Sequence, residues 1–312
     1  MLNSGDHGDG RVLITGAINT DLVGVVERAP EAGETVTGRS FDIFGGGKGA
    51  NQAVAARRSG AVVALVGALG RDEFGDRRVA GLRADDIDIT AVARREDAPS
   101  GVALIVVEDS GENRITYIPG ATLTVTATEL IEAIDRFAPD VYLQPNEVPI
   151  GAARAGLSRA GDIGAMRILN AAPDPERARP LLEHVDLLIV NQGEALALSD
   201  GQTAPGDELQ EVAGDLATRF SVDVVITGGA DGVFAYHGGG AVHLPAPKVD
   251  VVDTTGAGDT FCGAFAARLA LGADFREALR WAVVAASLAT TRAGAQPSIP
   301  DAFAIQDLLG RQ

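Results

Sequence analysis

The residues best suited to chemistry lie at 253–264, which read DTTGAGDTFCGA. Gly256, Ala257 and Gly258 leave little side chain in the way, and Asp259 follows at the edge of an apolar, small-residue helix pattern. Successive backbone N–H groups at such a helix start can close around an anion, and the helix dipole favours negative charge there. Asp259 is then a base beside an anion cradle, a pairing that suits phosphoryl transfer to a hydroxyl. The bland alternative is a loop-to-helix junction with Asp259 as its capping residue, since Asp is common at N-caps and Gly in turns.

A second glycine cluster, FGGGKGAN at Phe44–Asn51, precedes another helix pattern. A Walker A loop needs Ser or Thr after its Gly-Lys, and Gly49 stands there, so that reading fails. Gly45-x-Gly47-x-x-Ala50 matches the dinucleotide fingerprint. The following apolar run, however, ends in Gly70-Arg71-Asp72 without the expected acidic close, and the cluster lies after the first strand and turn. The remaining reading is a substrate loop. Glycines let the backbone approach a small polar ligand, and Asn51 offers both a donor and an acceptor. Asn19 and Asp21 follow the first strand, where carboxamides and a carboxylate suit the hydroxyls of a polyol. In the plainer alternatives Asn19 and Asp21 only shape a turn and Lys48 is solvated.

These groups need a scaffold, and the apolar pattern supplies one. Strands are expected at 11–18, 61–69, 140–144, 165–170, 186–190 and 222–227. Helices are expected at 49–59, 72–83, 126–137, 151–160, 207–219, 257–271, 275–291 and 301–309, with a short hairpin at 231–244. Strands alternating with helices predict an α/β fold, a mostly parallel central sheet flanked by helices. Two β-like patches, about 20–44 and 100–118, interrupt this rhythm and could pair into a small sheet over the strand ends, where ligands bind. Residues 11–312 are thus expected to form one α/β domain with a β lid, after a frayed tail at 1–10.

Composition narrows the function. A chain of 312 residues, 46% hydrophobic, can bury a large core. A net charge of −17 and only 4% aromatic residues argue against a general nucleic-acid or anionic-membrane binder. No signal peptide or membrane-spanning run is apparent. The lone cysteine, Cys262, fits a reducing, cytoplasmic setting and reads as a small apolar helix residue. The four histidines have no zinc-site spacing.

Together the signatures Gly46-Gly47-Lys48-Gly49-Ala50-Asn51-Gln52-Ala53 and Asp253-Thr254-Thr255-Gly256-Ala257-Gly258-Asp259 resemble those of the ribokinase-like (PfkB) carbohydrate kinase family. The resemblance runs from about Val12 to Pro300, with AGETVTG, DIDIT, SGVALI and GAQPS in the same order. It implies a ribokinase-like fold and ATP-dependent phosphorylation of D-ribose at O5. Asp259 would be the general base and Gly256, Ala257 and Gly258 the anion hole; phosphoryl transfer asks for positioning, charge stabilisation and one base. Asn19, Asp21, Gly47, Lys48, Asn51 and Glu147 match the family's sugar contacts, and Asp259 would hold the reacting hydroxyl. Asn191-x-x-Glu194 matches an element that orders Mg2+ indirectly, though a carboxylate at a helix start also complements the dipole without metal. Thr227, Gly228, Gly229, Ala230, Asp231 and Gly232 match the nucleotide loop, with Asn191 and Gly258 contributing; alone they read as a hairpin turn. An activating K+ would be held by Asp253, Thr255, Ala289, Arg292, Gly294 and Ser298, mostly through carbonyls.

Val283, Thr122 and Gln144-Pro145-Asn146 depart from the family pattern around adenine and sugar. Rival readings are a kinase for another sugar or a nucleoside, and a non-catalytic sugar-binding regulator; intact Asp259 and Gly256–Gly258 disfavour the last. The partners implied are a sugar and ATP, with no nucleic acid or membrane. An exposed lid edge invites a second copy, hence a homodimer.

Overall fold

The computed structural model describes residues 10–200 and 208–311. Its first strands are β1 (Arg11–Thr15), β2 (Asn19–Val26), β3 (Ser40–Gly46), β4 (Val62–Gly70), β5 (Val92–Arg95), β6 (Gly101–Glu108) and β7 (Asn113–Ile118). They are followed by β8 (Val141–Pro145), β9 (Met166–Asn170), β10 (Leu187–Asn191), β11 (Asp223–Thr227), β12 (Val233–His237) and β13 (Gly240–Leu244). The helices begin with α1 (Lys48–Arg58), α2 (Glu73–Ala84), α3 (Ala127–Phe137), α4 (Ile150–Asp162) and α5 (Pro175–Ala178). Then come α6 (Gln192–Leu198), α7 (Leu209–Phe220), α8 (Ala257–Ala270), α9 (Phe275–Ala289), α10 (Ala295–Ser298) and α11 (Ala302–Gly310).

Nine strands form one sheet in the order β13-β12-β11-β10-β9-β8-β1-β4-β5. Pairing is parallel from β11 to β5, and only the β11–β12 and β12–β13 pairs are antiparallel, so β12 alone runs against the rest. Such a sheet is covered on both faces, which is why its strands read as unbroken apolar runs. One core packs α1, α8 and α9 against Val12, Ile14, Leu65, Leu143 and Ile189. The other packs α3, α4 and α7 against Leu13, Val66, Tyr142, Leu188 and Val224. The expected α/β class and parallel sheet are thus observed.

The two early β-like patches do pair with each other. They form a separate four-stranded sheet, β3-β2-β6-β7. Asn19 stands opposite both Gly46 and Gly101, and Ile118 opposite Val102. All four strands therefore enter or leave this sheet at one end. Only Gly16–Ile18 separate β1 of the large sheet from β2 of the small one.

Several expectations needed adjustment. The run at 11–18 splits, because Gly16 and Ala17 end β1 and the chain turns into β2. β5 was not expected; its sequence, VARR, carries two arginines on a half-buried edge. The tail foreseen at 1–10 lies outside the described residues up to residue 9. Gly10 is already packed, its carbonyl accepting from the Val62 amide at 3.0 Å.

Candidate active site

The strand order reverses between β1 and β8, and such a reversal opens a crevice at the carboxyl ends of the strands. Glu147, just after β8, closes its floor. Its Oε2 accepts from the amides of Ala17 at 2.8 Å and Gly49 at 3.1 Å, and its Oε1 from Lys48 at 3.2 Å. The N-terminus of α1 is thus satisfied by a buried protein carboxylate, joined to the end of β1. Burial pushes the Glu147 carboxyl up, against the pull of these amides and of Lys48.

The N-terminus of α8 is treated differently. Its N-cap is Gly256, at φ 77°, and no side chain caps it. Ala257 donates back to the Thr254 carbonyl at 3.2 Å. The amides of Gly258 and Asp259 are left without intrahelical partners, as first-turn amides are. Asp259 is therefore not the N-cap. It is the third helical residue, and its buried carboxylate faces α1. Asn51 Nδ2 donates to Oδ2 at 2.9 Å and Gln52 Nε2 to Oδ1 at 3.0 Å. The helices meet closely because Gly263 has no side chain: a Cβ there would lie 2.2 Å from the Gln52 carbonyl oxygen.

A cavity of about 130 Å3 joins these groups. Lys48, Asn170, Asn191, Glu194, Thr227, Gly256, Gly258, Asp259 and Cys262 all contribute to its wall. The Lys48 ammonium is held well in its charged form by Asp259, with help from Glu147 and Glu194, despite burial. Burial, with Asp259 adding to it, pushes the Cys262 thiol up and keeps it protonated. A larger hollow of about 560 Å3 opens at the other ends of β8 and β9, beside Val141 and Met166, and holds none of these groups.

Asn19 and Asp21 open β2 at the mouth of the crevice. Burial lifts the Asp21 carboxyl to about 6; Arg78 pulls it down and Asp259 pushes it further up. Asn51 Oδ1 is buried with no hydrogen-bond partner; Asn19 Oδ1 and Thr122 Oγ1 are also without a well-formed one, with the Tyr117 hydroxyl their nearest donor. Gly47 caps α1 without a side-chain bond. Tyr117, opposite Ala103 and so on the Asp21 face of the small sheet, was not foreseen. Its hydroxyl is pushed up to about 12 by burial and then by the charge of Glu147.

Other expected groups fall around this centre. Asn191 caps α6 in a reciprocal box with Glu194: Asn191 Oδ1 accepts from the Glu194 amide and Glu194 Oε2 from the Asn191 amide, both at 2.9 Å. The dipole-complementing role of Glu194 is therefore real, and the same side chain also faces the cavity. Thr227 ends β11 on the cavity wall. Gly228–Gly232 close into the turn leading to β12, Gly228 N donating to Gly232 O at 2.8 Å, with Ala230 and Asp231 exposed. Val283 is buried in α9.

Asp253 ties two loops together. Its Oδ1 accepts from Thr255 N at 2.9 Å and its Oδ2 from Gly294 N at 2.8 Å. Burial opposes ionisation, but the hydrogen bonds from Thr255 and Gly294 outweigh it and hold the carboxyl below its usual range. No ion pair involving Asp253 occurs among the described residues. Ala289 and Ser298 are buried nearby in the chain, Ser298 Oγ donating to Ala295 O at 2.8 Å, while Arg292 is exposed. Among the described residues no cluster of three His, Cys, Asp or Glu could cage a metal.

Gln52 and Asn170 were missed as site residues. The signal for Gln52 was its place beside Asn51; Asn170 had only its position at a strand end.

The pattern of the pfkB family of carbohydrate kinases matches residues 9–302. The ribokinase of Bacillus subtilis is 34% identical over 299 residues, covering 96% of this chain and 99% of its own. The crystal structure of ribokinase from Thermotoga maritima superposes with a TM-score of 0.85 at 30% identity, covering 96% of this chain and 99% of its own. Arabidopsis thaliana ribokinase, solved with ribose and ATP, superposes with a TM-score of 0.85 at 27% identity over 96% and 98%.

Proposed function

Since the chain belongs to the pfkB family of carbohydrate kinases, we propose that it transfers the γ-phosphoryl group of ATP to O5 of D-ribose, giving D-ribose 5-phosphate and ADP. One observation carries this reading. A buried carboxylate, Asp259, shares the first turn of an uncapped helix with free amides, beside buried acceptors that lack donors.

Sugar hydroxyls would donate to Asn19, Asn51 and Asp21, and Thr122 would complete the ring of acceptors. Lys48, Gly47 and Glu147 frame the same pocket. Asp259 takes the proton of the reacting hydroxyl as its oxygen attacks phosphorus. The bond to the β-phosphate oxygen then breaks and ADP leaves. The free amides of Gly258 and Asp259 would face the charge that builds on the transferred group, with Gly256 and Ala257 shaping the turn that presents them, and donors preorganised in this way are usually the largest single contribution. Asn191, Thr227 and the 228–232 turn, with Gly258, would line the nucleotide.

Magnesium, when bound with ATP, would offset phosphate charge, and Glu194, on the cavity wall, would meet its hydration shell. Asp253, with the carbonyls near Thr255, Ala289, Arg292, Gly294 and Ser298, suits a large, weakly hydrated potassium ion behind the anion hole. The exposed apolar residues Phe41, Leu104 and Ile118 share one face of the small sheet, and its edges are open. A homodimer joined through this sheet covers them, and the sheet serves as a lid. A reducing cytoplasmic setting fits the single free cysteine.

The test is ADP release with a panel of pentoses, hexoses and nucleosides, in the presence of Mg2+ and K+. Ribose is expected to be preferred, and Asp259→Asn to lower kcat by about 10²–10⁴-fold without unfolding the protein. No turnover with any pentose rejects the reading.

A further inference from the structure

Gln52 is fully buried, so it meets neither sugar nor nucleotide, yet its carboxamide touches the base. Its Nε2 donates to Asp259 Oδ1 at 3.0 Å and to Asn170 Oδ1 at 3.2 Å. The orientation of Asn170 is set in turn, because its own Nδ2 donates to the Ile189 carbonyl at 3.3 Å. That leaves Asn170 Oδ1 facing Gln52. The Gln52 side chain is packed on every side, with no exposed surface, and the backbone of Gln52 lies close against α8 at Gly263. Its Oε1 has no hydrogen-bond partner. Turning the amide over would satisfy nothing and would bring an oxygen against two others.

Asn51 and Gln52 thus straddle one carboxylate, each holding a different oxygen. Asn51 also borders the mouth of the pocket, where a sugar can compete for it. Gln52 is sealed off from any ligand.

We propose that Gln52 is the positioning residue of the base: its buried carboxamide, backed by Asn170, fixes the rotation of the Asp259 carboxylate so that the other oxygen stays aimed at the sugar hydroxyl. This rests on Asp259 acting as the base of a sugar kinase. A carboxylate released from one of its two donors spends less time in the attacking geometry, and misplacement on the ångström scale costs about 10²-fold in rate. Binding of sugar is unaffected, since Gln52 does not reach it.

The experiment compares Gln52→Met, Gln52→Glu and Asn170→Ser with the parent, reading kcat, KM for ribose and ATP, ribose affinity by calorimetry without ATP, and thermal unfolding. The parent comes first: if it phosphorylates none of the panel, the kinase reading falls, whereas variant-to-parent ratios bear on Gln52 alone. Should the parent prefer another sugar, that sugar replaces ribose. Gln52→Met is expected to lower kcat by about ten- to a hundredfold with ribose affinity within about threefold. Gln52→Glu, of equal size but offering an acceptor, is expected to lose more. Asn170→Ser should lower kcat in the same sense by about threefold or more with KM for ATP and ribose affinity within about twofold; it decides the matter if the Gln52 variants do not fold, and because Asn170 also lines the cavity, a kcat loss matched by a loss of either affinity counts against the proposal. A folded variant of Gln52 with kcat within twofold of the parent overturns the proposal. So does a loss of kcat matched by an equal loss of ribose affinity, which would make Gln52 a packing residue of the pocket.

Discussion

At the scale of single residues, the site holds acids where burial resists their charge. Asp21 shows this most clearly. Its carboxyl sits at about 6 in the folded chain, against an ordinary value of 3.8. The folded state therefore binds its proton more tightly than the unfolded state does. Stability from this group is complete below about pH 4 and is lost as pH rises through 6. At roughly 1.4 kcal/mol per unit the loss approaches 3 kcal/mol at neutral pH. Asp21→Asn is accordingly expected to raise Tm at pH 7.5, with the gain fading towards pH 4, while ribose affinity drops at least tenfold. Thermal unfolding across pH checks the first and calorimetry the second. In the parent, the KM for sugar should rise as pH falls below 6, as the carboxylate that accepts from the sugar hydroxyl is protonated.

At the scale of elements, the decisive contact is the crossing of α1 and α8, which brings two carboxamides against the base. Gly263 permits it. Gly263→Ala would set a Cβ 2.2 Å from the Gln52 carbonyl oxygen and 2.8 Å from the Ala55 Cβ. The helices must part or the core must strain, a change that typically costs about 1–3 kcal/mol. A lower Tm and a fall in kcat greater than the change in ribose KM are expected, by thermal unfolding and steady-state kinetics. The strands and helices carrying the site were legible because buried parallel strands are unbroken apolar runs and their helices carry a one-sided apolar stripe. β5 was not, since Arg94 and Arg95 leave no such pattern, and α6 is too short to show one. Of the site, Asn19, Asp21, Asn51 and Asp259 could be read from residue type beside glycine-rich turns. Glu147 came only by resemblance, because its partners Ala17, Lys48 and Gly49 lie about a hundred or more residues away. Gln52 was hidden among alanines, where nothing local tells a buried glutamine from a surface one.

At the scale of the whole molecule, the small sheet leaves Phe41 at 62% and Leu104 at 44% exposure on a common face. A second copy covering that face predicts a dimer by analytical ultracentrifugation. Leu104→Lys with Phe41→Lys should shift the equilibrium to monomer without unfolding the large sheet, and a parent that sediments as a monomer at assay concentration contradicts the arrangement. The small sheet joins the large one at one end, where Gly46, Asn19 and Gly101 stand in one row and Ile118 in the next, and most of its length extends beyond. Any rocking of this flap must swing its far corners, near Val26, Ser40 and Asn113, through the widest arc. Asn19 and Asp21 lie at or next to the axle and scarcely travel. On the proposed reading of this sheet as a lid over the sugar, the grip would be decoupled from the opening and shutting above it, and a guest could be held in register while the door is still ajar.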